Sequence, residues 1–166
     1  MKIIIIGGGP AGFYFANSMK SLNKGFDIIV YETKNESINE FGLGYTLQGL
    51  TKELLANLDQ DYFSSLFANG SPPVLSQAIV KTNHDCQTFK FPDGHCVSRF
   101  ELMRYLRSMA TSLGIKIEEK KVLPSDLEHL QGACDLLIGA DGVNSIVREK
   151  YADKFMTHED QAKIRF

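Results

Sequence analysis

Four consecutive β-branched residues, Ile3 to Ile6, stand near the amino terminus with no polar residue between them. A strand with one face in water alternates apolar and polar positions, so an unbroken run predicts a strand buried on both faces, central in a parallel sheet. Gly7 to Gly9 then predict a tight turn. Pro10 suits the opening of a helix, and Ala11, Phe15, Met19 and Leu22 recur at helical spacing until Gly25. Asp27 to Glu32 reads as the next strand. Strand, glycine turn, helix and strand within about 30 residues make a βαβ unit, with the right-handed crossover such units adopt.

From Asn35 to Gly49 the chain turns polar and glycine-rich, which predicts a long surface loop. Leu50, Leu54 and Leu58 then share one helical face, and Tyr62, Phe63, Leu66 and Phe67 predict a second packing helix. Ser71, Pro72 and Pro73 break that pattern. Ile79 to Thr82, Thr88 to Phe91 and Cys96 to Ser98 read as short strands of an antiparallel excursion. They are separated by Asn83-His84-Asp85 and Pro92-Asp93-Gly94, both of turn composition. Ser98 and Glu101 have the spacing of a capping box before a helix whose stripe is Leu102, Leu106, Ala110 and Leu113, closed by Gly114. Ile115 to Glu119 and Asp135 to Gly139 predict two more strands, and Ala162 to Phe166 looks like the opening of another.

Composition narrows the function more than the fold. At 166 residues, 43% hydrophobic and 23% charged, the chain is ordinary globular material. Eighteen Lys and Arg against 20 Asp and Glu, with no run of like charge, argue against nucleic acid as a partner. The three cysteines, Cys86, Cys96 and Cys134, share no CxxC spacing and fit reduced thiols of a cytoplasmic protein. No stretch is long and apolar enough for a signal-peptide core or a membrane span, so no membrane partner is expected. His84, His95, His129 and His158 show no metal spacing, and no metal site is expected.

Gly7, Gly9 and Gly12 fit GxGxxG, a weak signal alone, here placed between a buried strand and a helix. Glu32 ends the second strand 20 residues beyond Gly12. Each part has a physical reason: Gly7 for the sharp turn, Gly9 for close approach of a pyrophosphate, Gly12 for tight helix packing. The helix start offers unpaired N–H groups to an anion, and Glu32 offers an acceptor to ribose hydroxyls while repelling a 2′-phosphate. A second constellation, Gly139-Ala140-Asp141-Gly142-Val143-Asn144-Ser145 with Arg148, follows an apolar strand and precedes a helix. It reads equally as a ligand-contacting turn or as a plain strand-to-helix turn with Ser145 as N-cap.

In that order, Gly7-Gly8-Gly9-Pro10-Ala11-Gly12 with Glu32, Arg99 opening a helix, and Asp135 to Gly142 with Ser145 and Arg148 resemble the single-component FAD-dependent aromatic hydroxylases, the para-hydroxybenzoate hydroxylase family. Phe41 to Leu47 and Tyr151 to Phe166 look more like the branch with anthraniloyl-CoA monooxygenase and the tryptophan hydroxylase of violacein synthesis. The resemblance implies a Rossmann-like α/β FAD-binding domain with a mostly parallel sheet, spanning 1–166. Within it 71–98 would be an antiparallel excursion that starts the substrate domain, and 152–166 a truncated tail. It implies FAD held by Gly7, Gly9, Pro10, Ala11 and Gly12 at the pyrophosphate and by Glu32 at the adenosine ribose. Arg99 would lie near the flavin's phosphate or ribityl arm, and Asp141 and Gly142 in the segment serving both FAD and the NAD(P)H donor. Tyr45, Gly42 and Gly44 would lie near the flavin. Family members hydroxylate a small aromatic substrate, which in this branch is CoA-linked or indole-like.

The pattern is also incomplete. Family members are about twice this long or more, and their later Gly-Asp fingerprint has no counterpart, because no glycine here is followed by aspartate. The chain therefore looks like the amino-terminal part of a hydroxylase, a fragment or one half of a split enzyme with a separate carboxyl-terminal half, whose own active site is incomplete. Two other readings stay open: an NAD-dependent dehydrogenase, which Glu32 suits equally, and a non-catalytic nucleotide-binding module.

Overall fold

The computed structural model describes residues 1–33, 44–68, 75–82 and 85–155. Its first strand, β1 (Lys2–Ile6), leads through the glycine turn into α1 (Pro10–Leu22) and β2 (Asp27–Glu32). After β3 (Tyr45–Leu47) come α2 (Gly49–Leu58), α3 (Gln60–Ala68), β4 (Leu75–Lys81) and β5 (Cys86–Val97). The chain continues through α4 (Arg99–Ser112), β6 (Lys116–Glu119), α5 (Leu127–Gly132), β7 (Leu136–Gly139) and α6 (Ile146–Lys150).

Four strands form one sheet in the order β6-β2-β1-β7, every neighbouring pair parallel. β1 is inside, with Ile6 in register with Tyr31 on one side and Gly139 on the other. The isoleucine run is explained by the layers it joins. Because side chains alternate along a strand, Ile3 and Ile5 pack with Phe13, Leu102 and Leu106 of α1 and α4, while Ile4 and Ile6 pack with Leu127, Leu130 and Val147 of α5 and α6. All four isoleucines are buried. Each contributes on the order of 1.5 to 3 kcal/mol, an upper range because the unfolded chain already buries some surface.

A second, three-stranded sheet has the antiparallel order β3-β5-β4. Here one expectation fails: Pro92-Asp93-Gly94 lies inside β5, a single strand of 12 residues, and is not a turn. The register with β4 shifts between Leu75 and Gln77, opposite this segment, and such an irregularity accommodates a proline within a ladder. Within the expected Asn35 to Gly49 loop, Tyr45–Leu47 is instead β3, because its backbone pairs with Val97 to His95 of β5. Asn83 and His84 of the other expected turn, Ser71 to Pro73, the rest of that loop up to residue 43 and the Ala162 to Phe166 strand lie outside the described residues.

Two helix faces and one helix cap also differ from expectation. α1 buries Gly12, Phe13, Ala16 and Asn17, whereas Leu22 is 79% exposed. In α2 it is Leu55 that is buried, and Leu50 and Leu54 are exposed. Ser98 is the N-cap of α4 without a side-chain capping bond, so the capping box is not formed; Glu101 instead binds Arg104 at 2.6 Å. The end of α4 is as expected, with Gly114 at φ +73° and Ile115 N–H donating to the Ala110 carbonyl.

Candidate functional site

The carboxyl end of β1 is where the parallel sheet changes direction. From β1 the chain reaches β2 and β6 on one side and β7 on the other, and ligands of open α/β sheets bind at such points. Gly7 turns the chain here with φ +103°, and its N–H donates to the Tyr31 carbonyl at 2.8 Å. A Cβ on Gly7 would collide with the Ala140 backbone, and one on Gly12 with the Gly7 carbonyl oxygen. These two glycines let three backbone segments meet. Gly9 is different: among the described residues, its chain neighbours aside, no atom lies within 4 Å of where its Cβ would stand. The loop is therefore tight beneath and open above, a cradle that a side chain at position 9 would fill.

Above that opening α1 begins. Gly9 is its N-cap with no side-chain capping bond, Pro10 and Ala11 form its first turn, and no acidic residue occupies that turn. The first amides of a helix lack intrahelical acceptors and carry partial positive charge, so this end suits an anion such as a pyrophosphate.

Glu32 stands beside the cradle at the end of β2. Burial pushes its carboxyl above the ordinary value, while N–H bonds from Gly8 and Thr33 and the charges of Arg107 and Arg99 pull the other way. A Cβ on Gly8 would meet the Glu32 carboxylate at 2.5 Å, so Gly8, which the GxGxxG spacing leaves unspecified, is what lets acid and loop meet. Arg107 was not expected either; its signal was its position eight residues after Arg99, about two turns along the same helix.

Asp141 is engaged in α6. Its Oδ1 accepts the Ser145 hydroxyl at 2.6 Å, and its Oδ2 accepts the N–H groups of Ile146 at 2.7 Å and Val147 at 3.3 Å. Ser145 Oγ accepts the Arg148 N–H at 3.0 Å, which makes Ser145 the N-cap that one sequence reading gave. Arg148 donates to the Val143 carbonyl at 2.6 Å, and Gly142 has φ +80°. The backbone of this turn touches Gly7, so the two sequence constellations share one crevice.

A cavity of about 300 Å³ adjoins the cradle, bounded by Pro10, Ala11 and Tyr14 of α1, Tyr45 of β3, Leu55 of α2 and Leu106 of α4. Tyr45 thus lies on its wall. Gly44 packs on the Val97 carbonyl, and Gly42 lies outside the described residues. Among the described residues no three His, Cys, Asp or Glu gather as a metal would require, and no helix is long and apolar enough to cross a membrane.

A family described as FAD binding domain matches residues 1–166. Salicyloyl-CoA 5-hydroxylase of Streptomyces sp. is 25% identical over 179 residues, covering 100% of this chain and 31% of that protein. The 3-hydroxy-4-methyl-anthranilyl-[aryl-carrier protein] 5-monooxygenase of Streptosporangium sibiricum is 26% identical, covering 95% of this chain and 42% of that protein. The chain therefore spans well under half the length of these relatives. Among solved structures, 2-methyl-3-hydroxypyridine-5-carboxylic acid oxygenase superposes with TM-score 0.64 at 24% identity, covering 90% of this chain and 41% of that one. CtdE in complex with FAD superposes with TM-score 0.61 at 19% identity, covering 90% and 40%.

Proposed function

The chain belongs to the FAD binding domain family, and on that footing we propose that it is the FAD-holding portion of a flavoprotein monooxygenase that hydroxylates an aromatic substrate with NAD(P)H as donor. The observation that carries this reading is the cradle: an uncapped helix start, open space above Gly9 and a carboxylate at the neighbouring strand end. These fit the pyrophosphate and adenosine ribose of a dinucleotide in both charge and shape.

Each residue then has a task. Gly7 and Gly12 hold the loop close to the sheet, and the amides at the start of α1, beside Pro10 and Ala11, bind the pyrophosphate. Glu32 accepts from the ribose hydroxyls. Arg99, at the head of α4, adds positive charge toward the phosphate or ribityl arm. Asp141 and Gly142 act through the backbone they shape, because the Asp141 carboxylate already receives the Ser145 hydroxyl and two amides of α6. The bound flavin supplies the redox chemistry between NAD(P)H, oxygen and substrate. What the protein adds around it is orientation and exclusion of water.

The names of the two curated relatives carry CoA or aryl-carrier-protein groups on an aromatic acyl unit, which favours an aromatic acyl thioester as substrate class over a free aromatic acid. Both relatives are more than twice the length this chain covers, so hydroxylation itself calls for the remaining portion, in the same polypeptide or a separate one.

The test is a titration. Purified chain mixed with FAD is expected to quench flavin fluorescence saturably and to yield yellow protein after desalting. Failure to bind FAD, together with stabilisation by NADH, would return the chain to the dehydrogenase reading. Binding of FAD without aromatic-dependent NADPH oxidation, even alongside a carboxyl-terminal portion, would leave it a non-catalytic module.

A further inference from the structure

Two acidic residues are cross-strand neighbours where the sheet meets the cradle. Glu32 and Glu119 are registered partners on the parallel strands β2 and β6. Registered neighbours point to the same face, and here it is the face of α1 and α4, since Ile28 and Val30 precede Glu32 and Ile117 precedes Glu119 in that packing layer. Unscreened, two acids so placed disfavour each other's ionised form. α4 supplies a counter-charge. Arg107 donates through Nη2 to Glu119 Oε1 at 2.7 Å, and its charge also acts on Glu32. Among the described residues, Arg99 and the N–H groups of Gly8 and Thr33 also act on Glu32.

Resting on the FAD reading above, we infer that Arg107 is a positioning residue for the adenosine end of the dinucleotide: it pairs with Glu119, the cross-strand neighbour of Glu32, and so leaves Glu32 as the acceptor for the ribose hydroxyls. It touches neither phosphate nor flavin in this role. A lysine can supply the charge in its place, whereas glutamine, of similar reach, cannot. The dependence is therefore on charge, and it shows most where the Glu32 carboxyl is partly protonated.

The experiment compares wild type, Arg107→Gln and Arg107→Lys by FAD titration between pH 5 and 8, with the Glu32 carboxyl followed by carbon NMR in the ligand-free chain. In Arg107→Gln the Glu32 titration is expected to move to higher pH. Its FAD affinity should fall by about tenfold at pH 5.5 and by much less at pH 8, with Arg107→Lys close to wild type. FMN, which has no adenosine, serves as control and should bind all three chains alike. An Arg107→Gln chain that binds FAD as wild type does at every pH would overturn the role and leave the FAD reading intact. So would an equal loss at every pH shared by the lysine variant, which marks Arg107 as a strut for β6. An unmoved Glu32 titration overturns the inference even in a chain that binds no FAD, and that second result separately removes the FAD reading.

Discussion

Within one loop, glycines of the same spacing do opposite work, and substitution separates them. Gly9→Val places atoms in open space, so the chain should keep its thermal midpoint while FAD binding is lost; unchanged binding in a folded Gly9→Val chain would show that the pyrophosphate does not rest on this loop. Gly12→Ala drives a methyl group into the Gly7 carbonyl and should cost on the order of 1 to 3 kcal/mol, read from urea unfolding. Glu32 carries a conflict of its own. Its carboxyl is raised by burial, so the folded chain holds that proton more tightly than the unfolded chain does. The group's contribution is then fully present below the ordinary carboxylate range and is lost as pH rises through the raised value. Glu32→Gln should flatten that part of the stability profile and stabilise the ligand-free chain at pH 7, while weakening FAD; a steeper acid-side profile in the variant would contradict this. The glycines and Glu32 were legible in the sequence because backbone clearance and a strand-end acid follow from residue type and spacing. The engagement of Asp141 was not, since which donors reach its two oxygens depends on how the turn folds back.

At the scale of elements, α6 is five residues long and begins at a side-chain cap, with Val147 buried on the sheet. A helix this short has little propagation energy, so its start decides whether it forms. Asp141→Ala should cost about 1 to 2 kcal/mol and Ser145→Ala about 1 kcal/mol, and the pair should be less than additive because the two side chains are bonded to each other. A double variant equal to the sum in chemical denaturation would show that they act separately. The parallel strands were read well, because a doubly buried strand is an apolar run whatever packs on it, whereas β3, three residues long, was read as part of a loop. Helix faces were read less well. In α2, Leu54 and Leu55 are adjacent and both apolar, so periodicity drew a stripe through one while tertiary packing chose the other. Pro92-Asp93-Gly94 misled for a related reason: turn composition and a strand irregularity use the same residues.

Taken whole, the molecule brings together segments far apart in sequence. β1 lies between β2 and β7, and the parallel β7 is reached only after more than 100 residues of chain. That order was legible in part, since three apolar strands and a βαβ unit predict a parallel sheet, but the strand order itself depends on packing between distant elements. A dinucleotide that bridges those segments should stabilise all of them. At a hundredfold excess over its dissociation constant FAD should add about 2.7 kcal/mol, seen as a higher melting temperature, and FMN should add less. The same convergence has a mechanical consequence. Gly7 rests against Ala140, whose N–H donates to Ile6 at 2.7 Å, and the Ile146 and Val147 amides are bonded to the next residue, Asp141. A guest settling on the glycine loop braces that buttress, so the two α6 amides should exchange their hydrogens for deuterium more slowly, a remote gauge of occupancy on a helix the guest need never touch.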